Sequence, residues 1–386
     1  MSFIPESQMS IYTIAVLFLI IAVSEWLGDK PFFKHLSTGL LVIILGAVAA
    51  NTGLIPATNP ASPVYDAVFA YVAPISIFLI LLGVNLSQIK LAGKPMLVMF
   101  VIGAFCTVIA TVFALWVLNG RSFLGEHYHA VAGMLSGTYI GGSLNFNAVA
   151  LHYNMAKEGD LFAATTVADN VISAVWVAVT LLMPYLLKNI WPKPKQEVIY
   201  NTNEELAEMK NEEKMNIMDA TFIIFIAIVA YLFAVLLANL IPFIPMILWL
   251  TTLALICAHI PFIHRLRGHK TFGLISMYLF LTVVGTHCDI PTLLKDGALA
   301  LNLMLLVTMI VVVHGVLIYS IGFMLRQDKD IISIASQANV GGTATAMALA
   351  KSLKRNELIL PAILIGALGN AMGTYIGLFI ANWLSQ

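Results

Sequence analysis

The chain has 386 residues, of which 60% are hydrophobic and 10% are charged, and its 20 basic and 20 acidic side chains leave no net charge. An ordinary soluble protein carries about 25% charged residues, so this composition excludes a soluble domain and indicates a polytopic membrane protein in a lipid bilayer. The lack of a basic tract excludes nucleic acid as a partner, and three cysteines without CxxC spacing predict neither a disulfide framework nor a zinc site.

Apolar runs of about 20 residues, the length of a membrane-spanning helix, divide the chain into twelve predicted helical segments. The first six lie near 11–28, 38–56, 64–87, 95–118, 129–153 and 160–190. The other six lie near 218–240, 243–260, 271–290, 298–325, 330–352 and 358–384. A hydrophilic stretch at 191–217 separates the two sets, and its mixed charges predict a short surface helix in a cytoplasmic linker.

The two sets of segments are internally related. Segments 5 and 11 each contain a glycine pair followed by a hydroxyl residue, at 141–142 and 341–342, which lie 341 − 141 = 200 residues apart. The same displacement relates 169–170 to 369–370, with an asparagine second in each pair. The chain is therefore predicted to be an all-α protein built from two repeats, 1–190 and 218–386.

Basic residues in the short loops indicate how the two repeats lie in the membrane. They follow segments 1 and 3 in the first repeat but segments 8 and 10 in the second. Because cytoplasmic loops are enriched in Lys and Arg, the repeats are predicted to be inverted. Six crossings per repeat would leave them parallel, so one segment in each must not cross.

We therefore predict ten crossings and two re-entrant hairpins, formed by the glycine-containing segments 5 and 11, with both termini outside. The alternative is that both segments cross the membrane as broken helices. It would require the linker at 191–217 to span the membrane, and that stretch is too polar to do so.

Polar residues collect around the two glycine pairs. A helix broken at membrane depth frees backbone groups that cost several kcal/mol unless they meet protein, water or a solute. Paired breaks in two repeats point to a transporter's binding site. The candidate solute-binding and ion-binding residues here are Gly141, Gly142, Ser143, Asn145, Asn147, Asp169, Asn170, Gly341, Gly342, Thr343, Thr345 and Asn370. Among these, Na⁺ is expected at Ser143, Asn145, Asp169, Asn170, Thr343 and Asn370.

Asp169 is the only carboxylate well inside a long apolar segment. It can serve as a Na⁺ ligand, as a proton carrier, or as a structural cap on a neighbouring break. His287 and Asp289, at the end of segment 9, can form a proton-linked pair or contact substrate, and a wetted helix end explains them nearly as well. His259 and His314 have no paired carboxylate and are expected to be satisfied core histidines.

With these residues in view, the chain resembles the DUF819 (YjcL-like) family of bacterial membrane proteins over nearly its whole length. The strongest marks of the resemblance are the sequences at 141–148 and 339–346. That family is similar in organisation to inverted-repeat carriers, which include cation/proton antiporters and the bile acid, citrate and glutamate sodium symporters.

The resemblance implies an elevator mechanism, in which a transport domain moves against a scaffold that usually dimerises. The implied transport parts are 64–190 and 271–386, and the implied scaffold parts are 1–60 and 218–262. The chain departs from many antiporters at 369–370, where it has Gly-Asn in place of a basic residue. It also has no arginine in segments 9–12 that would obviously bind a carboxylate, so no substrate is implied.

These observations predict a secondary active transporter of the bacterial inner membrane that couples inward Na⁺ movement to uptake of a small polar or anionic organic solute. The alternative is a cation/proton antiporter in which Asp169 alternates between H⁺ and Na⁺. A non-transporting membrane scaffold or sensor would need a soluble domain or a signalling tail. Without GxSxG, HExxH or P-loop motifs, we expect no enzymatic activity and no cofactor beyond Na⁺ or H⁺ as coupling ion.

Overall fold

The computed structural model describes residues 8–30, 33, 37–56, 62–84, 86–191, 215–291 and 297–386, and all regular elements in these ranges are helical. The first repeat contains α1 (Met9–Gly28), α2 (Thr38–Asn51), α3 (Pro63–Leu81), α4 (Lys94–Val117), α5 (Tyr128–Gly141), α6 (Ser143–His152) and α7 (Gly159–Leu186). The second contains α8 (Ile217–Leu240), α9 (Met246–Ala258), α10 (His269–Thr286), α11 (Gly297–Met324), α12 (Lys329–Ser352) and α13 (Ile359–Ser385). The surface helix predicted in the linker falls at 192–214, outside the described residues.

Each predicted apolar segment corresponds to one helix, or to the α5–α6 pair in the case of segment 5. Seven of the described helical spans are long and apolar enough to cross a membrane, namely those of α1, α3, α4, α7, α8, α11 and α13. Helices α2 and α9 are also apolar but shorter, with 14 and 13 residues. The prediction of an all-α polytopic membrane protein is confirmed.

The glycine pair of the first repeat reverses the chain. Gly142 has φ 97° and ψ 177°, a conformation that glycine adopts without a steric penalty. The two arms then run antiparallel, since a Cβ atom on Gly137 would lie 3.3 Å from the Cβ of Asn145. At the open end, the rings of His129 and Tyr153 are 5.1 Å apart. Helices α5 and α6 therefore form a hairpin, here called hairpin 1.

Helix α12 reverses in the same way at Gly342, which has φ 76° and ψ −169°. The Gln337 amide donates to the Thr345 hydroxyl across the turn at 3.0 Å, although eight residues of straight helix would separate them by about 12 Å. Arg355, after the second arm, pairs with Asp328, before the first arm, at 3.1 Å. Helix α12 is therefore a second hairpin, called hairpin 2, which confirms the predicted hairpins and excludes the broken crossing helices.

The helices pack as two bundles with few contacts between them. Helices α1–α3 and α8–α10 form one, the six-helix bundle, while α4–α7 and α11–α13 form the other, the hairpin bundle. The sequence analysis placed α3 and α10 with the hairpins, and their packing corrects this. Gly285 of α10 lies against the backbone carbonyl of Ile43 on α2, and Gly273 of α10 lies against Ile80 of α3. These close approaches hold both helices in the six-helix bundle.

Each hairpin packs against the last helix of the opposite repeat. Helix α13 lies along α5. Glycines line this contact, at Gly133, Gly137 and Gly141 on α5 and at Gly369, Gly373 and Gly377 on α13. Helix α7 lies along α12, where the Trp176 indole donates to the Ser336 hydroxyl at 3.1 Å. The two repeats are thus interlocked, and α7, which carries Asp169, packs along hairpin 2.

Candidate functional site

The turns of the two hairpins touch each other inside the hairpin bundle. A Cβ atom on Gly142 would lie 3.7 Å from the Cα of Gly342, and the reverse distance is the same. Ser143, the first residue of α6, is exposed, and Thr343 is half-buried in the corresponding place. The two glycine pairs, 200 residues apart in sequence, therefore form one structural centre.

Asp169 is a buried carboxylate with little local compensation. It is 8% exposed, and its Oδ1 accepts a hydrogen bond of 3.3 Å from the Ser173 hydroxyl. The hydroxyl of Tyr139, on the first arm of hairpin 1, interacts with this carboxylate but forms no well-aligned hydrogen bond with the described residues. A carboxylate buried in an apolar bundle is a candidate site for a proton or a cation.

Two buried amides before the second glycine pair were missed by the sequence analysis. Gln337 accepts from Thr180 of α7 at 3.0 Å and donates to Thr345, so it joins both arms of hairpin 2 to α7. Asn339 donates to the Ile140 carbonyl of hairpin 1 at 3.4 Å. Both are amides within an apolar segment, but the polar residues predicted in segments 5 and 11 all follow the glycines.

Asn145 has a structural role in this arrangement. It is fully buried, its amide nitrogen donates to the Gly369 carbonyl at 3.3 Å, and its oxygen accepts from Thr374 at 2.8 Å. Both partners lie on α13. The side chain predicted as a Na⁺ ligand therefore fixes hairpin 1 to α13.

Asn170 and Asn147 lie at the border between the two bundles. Asn170 accepts from the hydroxyl of Ser37, the N-cap of α2, at 2.7 Å and donates to the Thr166 carbonyl. Asn147, on α6, points its amide nitrogen at the sulfur of Met277 on α10, at 3.5 Å. The expectation that Asn170 faces a glycine break is corrected by its contact with α2. Asn370, its counterpart on α13, is half-buried.

Comparison with known proteins agrees with this structure. Residues 13–386 match the family described as a protein of unknown function, DUF819. The chain belongs to the DUF819 family. It is 28% identical over 381 residues to the uncharacterised membrane protein YjcL of Bacillus subtilis (strain 168), with 93% of each chain covered. The resemblance drawn from the two glycine-containing sequences is thus confirmed.

In this DUF819 protein, His287 and Asp289 belong to a separate cluster. The His287 ring lies 5.1 Å from that of Phe69, and the Asp289 backbone nitrogen donates to the Asp160 carboxylate at 2.7 Å. Asp160 precedes Asp169 by nine residues of α7, or about 14 Å. The pair therefore lies at a helix end, as the sequence analysis placed it, and away from Asp169.

His314 of the DUF819 protein is a satisfied core histidine, as predicted. Its Nδ1 lies 3.0 Å from the Thr107 hydroxyl and its Nε2 lies 3.0 Å from the Ser336 hydroxyl. Thr107 uses its proton to donate to the Tyr139 carbonyl at 2.8 Å, so it must accept from Nδ1–H. Because Nδ1 carries the proton of the neutral ring, Nε2 accepts from the Ser336 hydroxyl, which itself accepts from Trp176. This hydrogen-bond chain links both hairpins through one neutral tautomer. His259 is also hydrogen-bonded, to the Leu255 carbonyl and by the Leu86 backbone nitrogen, but it is exposed and not in the core as predicted.

Proposed function

We propose that this DUF819 protein is a secondary active transporter of the bacterial inner membrane that couples Na⁺ movement to uptake of a small polar or anionic organic solute. The observation that carries the proposal is the contact of the two hairpin turns at Gly142 and Gly342, in the same bundle as the buried carboxylate of Asp169. Broken helices that meet in this way expose half-helix ends for solutes and ions, which a purely structural bundle does not need.

The chemistry around Asp169 favours a monovalent cation. The groups beside the carboxylate are neutral hydroxyls, from Ser173 and Tyr139, and oxygen ligands suit an alkali ion. No cluster of three or more His, Cys, Asp or Glu side chains that could hold a metal ion occurs among the described residues. Sodium or a proton fits this site better than a divalent ion.

The solute would bind at the border between the bundles, close to the hairpin turns. Helix α6 begins at Ser143, which is exposed, and its N-cap, Gly142, supplies no side-chain hydrogen bond. The free N–H groups of such a helix end attract the negative part of a solute. Polar side chains at the border, among them Asn147 and Asn170, can bind neutral groups.

An elevator movement fits the division into two bundles. Contacts within each bundle are dense and contacts between them are sparse, so the hairpin bundle can slide as a unit against the six-helix bundle. The six-helix bundle would then be the scaffold. Helix α8 presents many exposed apolar side chains, and this face would meet lipid or the second copy of a homodimer.

A cation/proton antiporter is the second candidate, and the Asp169–Tyr139 pair favours it. A buried carboxylate beside the Tyr139 hydroxyl can hold either a proton or Na⁺. Alternation between the two would exchange H⁺ for Na⁺ across the membrane. In this mechanism no organic solute is carried, and the exposed start of α6 would have no ligand.

The test is the thermal stability of the detergent-purified protein in NaCl and in choline chloride at equal ionic strength. At 100 times its dissociation constant, Na⁺ should add about 2.7 kcal/mol of stability. The shift should vanish in Asp169→Asn and persist in Asp160→Asn, which makes the same change elsewhere on α7. Na⁺-dependent solute uptake in vesicles supports symport, whereas pH-driven Na⁺ exchange lost in Asp169→Asn supports the antiporter. No Na⁺ shift and no exchange would refute both.

A further inference from the structure

Displacement by 200 residues pairs four positions around each hairpin turn with four around the other. Where hairpin 1 meets α13, the four residues are Gly137, Gly141, Gly369 and Gly373. Where hairpin 2 meets α7, their counterparts are Gln337, Gly341, Asp169 and Ser173. The same backbone arrangement is therefore lined by glycines on one side and by polar side chains on the other.

On the glycine side, backbone packs directly on backbone. A Cβ atom on Gly369 would lie 2.6 Å from the Ile140 carbonyl oxygen and 2.7 Å from the Cα of Gly141. A Cβ atom on Gly373 would lie 2.6 Å from the Cγ of Asn145. Asn145 has its donor and its acceptor occupied by α13. This contact therefore has neither the space nor a free oxygen for an ion.

On the polar side, side chains separate hairpin 2 from α7. The nearest atoms to a Cβ on Gly341 belong to the side chains of Gln337 and Thr345, which bond to each other. The Asp169 carboxylate of α7 accepts one long hydrogen bond, from Ser173 at 3.3 Å, and interacts with the Tyr139 hydroxyl of hairpin 1. Tyr139 is 1% exposed, and its hydroxyl has no well-aligned hydrogen-bond partner among the described residues. Among the paired positions, only this set carries a negative charge, at Asp169 where the other repeat has Gly369, and a hydroxyl, at Ser173 where the other repeat has Gly373.

From this difference we infer that each chain binds one monovalent coupling cation beside α7, with Asp169 and Ser173 of α7 and Tyr139 of hairpin 1 as ligands. The pseudo-equivalent position on α13, at Gly369 and Gly373, binds none. The inference rests on the proposed function and deepens it, because it sets one ion per chain and assigns Tyr139 a role that the sequence did not indicate. It also removes Asn145 and Asn370 from the predicted Na⁺ ligands.

The first experiment needs no variant. Equilibrium binding of radioactive ²²Na⁺ to the purified wild-type protein should saturate at one ion per chain, with a Hill coefficient of 1. Saturation at two ions per chain, or a Hill coefficient clearly above 1, would overturn the inference and leave Na⁺ coupling intact. If the wild-type protein binds no Na⁺, the Na⁺-coupled function and the inference both fail.

A matched pair of variants locates the ion. Tyr139→Phe removes the hydroxyl of hairpin 1 that interacts with Asp169 and should weaken Na⁺ binding about tenfold, the effect of one contact to a charged group. Thr374→Val removes the hydroxyl that holds Asn145 on the glycine side and should leave Na⁺ affinity within about twofold while lowering stability without Na⁺. Equal losses of affinity in both variants, or a loss in Thr374→Val alone, would overturn the single-site assignment.

Discussion

The hydrogen-bond chain through His314 allows a quantitative prediction. In His314→Leu, the Ser336 hydroxyl loses its acceptor inside the bundle, whereas Thr107 still donates to the Tyr139 carbonyl. One buried donor left without a partner costs about 1–3 kcal/mol, and polar contacts between membrane helices average about 0.6 kcal/mol. We therefore expect His314→Leu to lower the free energy of unfolding by about 2 kcal/mol.

A double-mutant cycle with Ser336→Ala isolates this coupling. Once Ser336 has lost its hydroxyl, no donor is orphaned by the leucine, so the double variant should be about 1 kcal/mol more stable than the sum of the single losses predicts. The assay is reversible unfolding of the purified protein. His259→Leu, at an exposed histidine, is the control and should change stability by less than about 0.5 kcal/mol.

If the stability loss of the double variant equals the sum of the two single losses within about 0.5 kcal/mol, the reasoning is refuted, because residues that share a hydrogen-bond network do not behave independently. The same result would mean that the two hairpins are not energetically linked through α4 and α11. A large loss in the control variant would instead show that the replacement of a histidine by leucine destabilises this protein without any hydrogen-bond chain.

Three further predictions follow from the packing. Gly141→Ala should prevent stable folding because its Cβ would overlap the backbone of α13, whereas Gly341→Ala meets only side chains and should be milder; equal elution profiles on size exclusion would contradict this. Arg355→Gln should make the base of hairpin 2 more sensitive to protease at neutral pH. Burial lowers the pKa of Arg355, but the neighbouring carboxylates raise it by more, so the ion pairs persist. A disulfide between Ser37→Cys and Asn170→Cys should stop transport until it is reduced, and transport by the cross-linked protein would argue against movement between the bundles.

Much of the fold could be predicted because it depends on local patterns. Helix positions follow from apolar runs, and the reversal of each hairpin follows from the glycine pairs together with the basic residues of short loops. Each of these patterns can be recognised within a short stretch of the sequence. The kinship of the two repeats was also visible, since 141–142 and 341–342 carry the same residues at a constant displacement.

The partner of each hairpin could not be predicted, because it depends on contacts between distant parts of the chain. The sequence predicted Asp169 as a ligand at the two glycine breaks, but it did not show that α7 packs along hairpin 2 while the carboxylate interacts with Tyr139 of hairpin 1. The role of Tyr139 was hidden for the same reason. A signal was available in the repeat itself. Gln337 and Ser173 stand where the other repeat has Gly137 and Gly373, and these polar residues mark the contact between hairpin 2 and α7.

The interlocking of the repeats sets an order for biogenesis. During synthesis, α5 enters the membrane more than two hundred residues before α13, whose glycines Gly369, Gly373 and Gly377 cover it. Until then, the bare glycine face of hairpin 1 has no helix of its own repeat to pack on. The nascent first repeat must therefore wait, shielded by lipid or by a chaperone of membrane insertion, and loss of the final helix would leave both repeats immature.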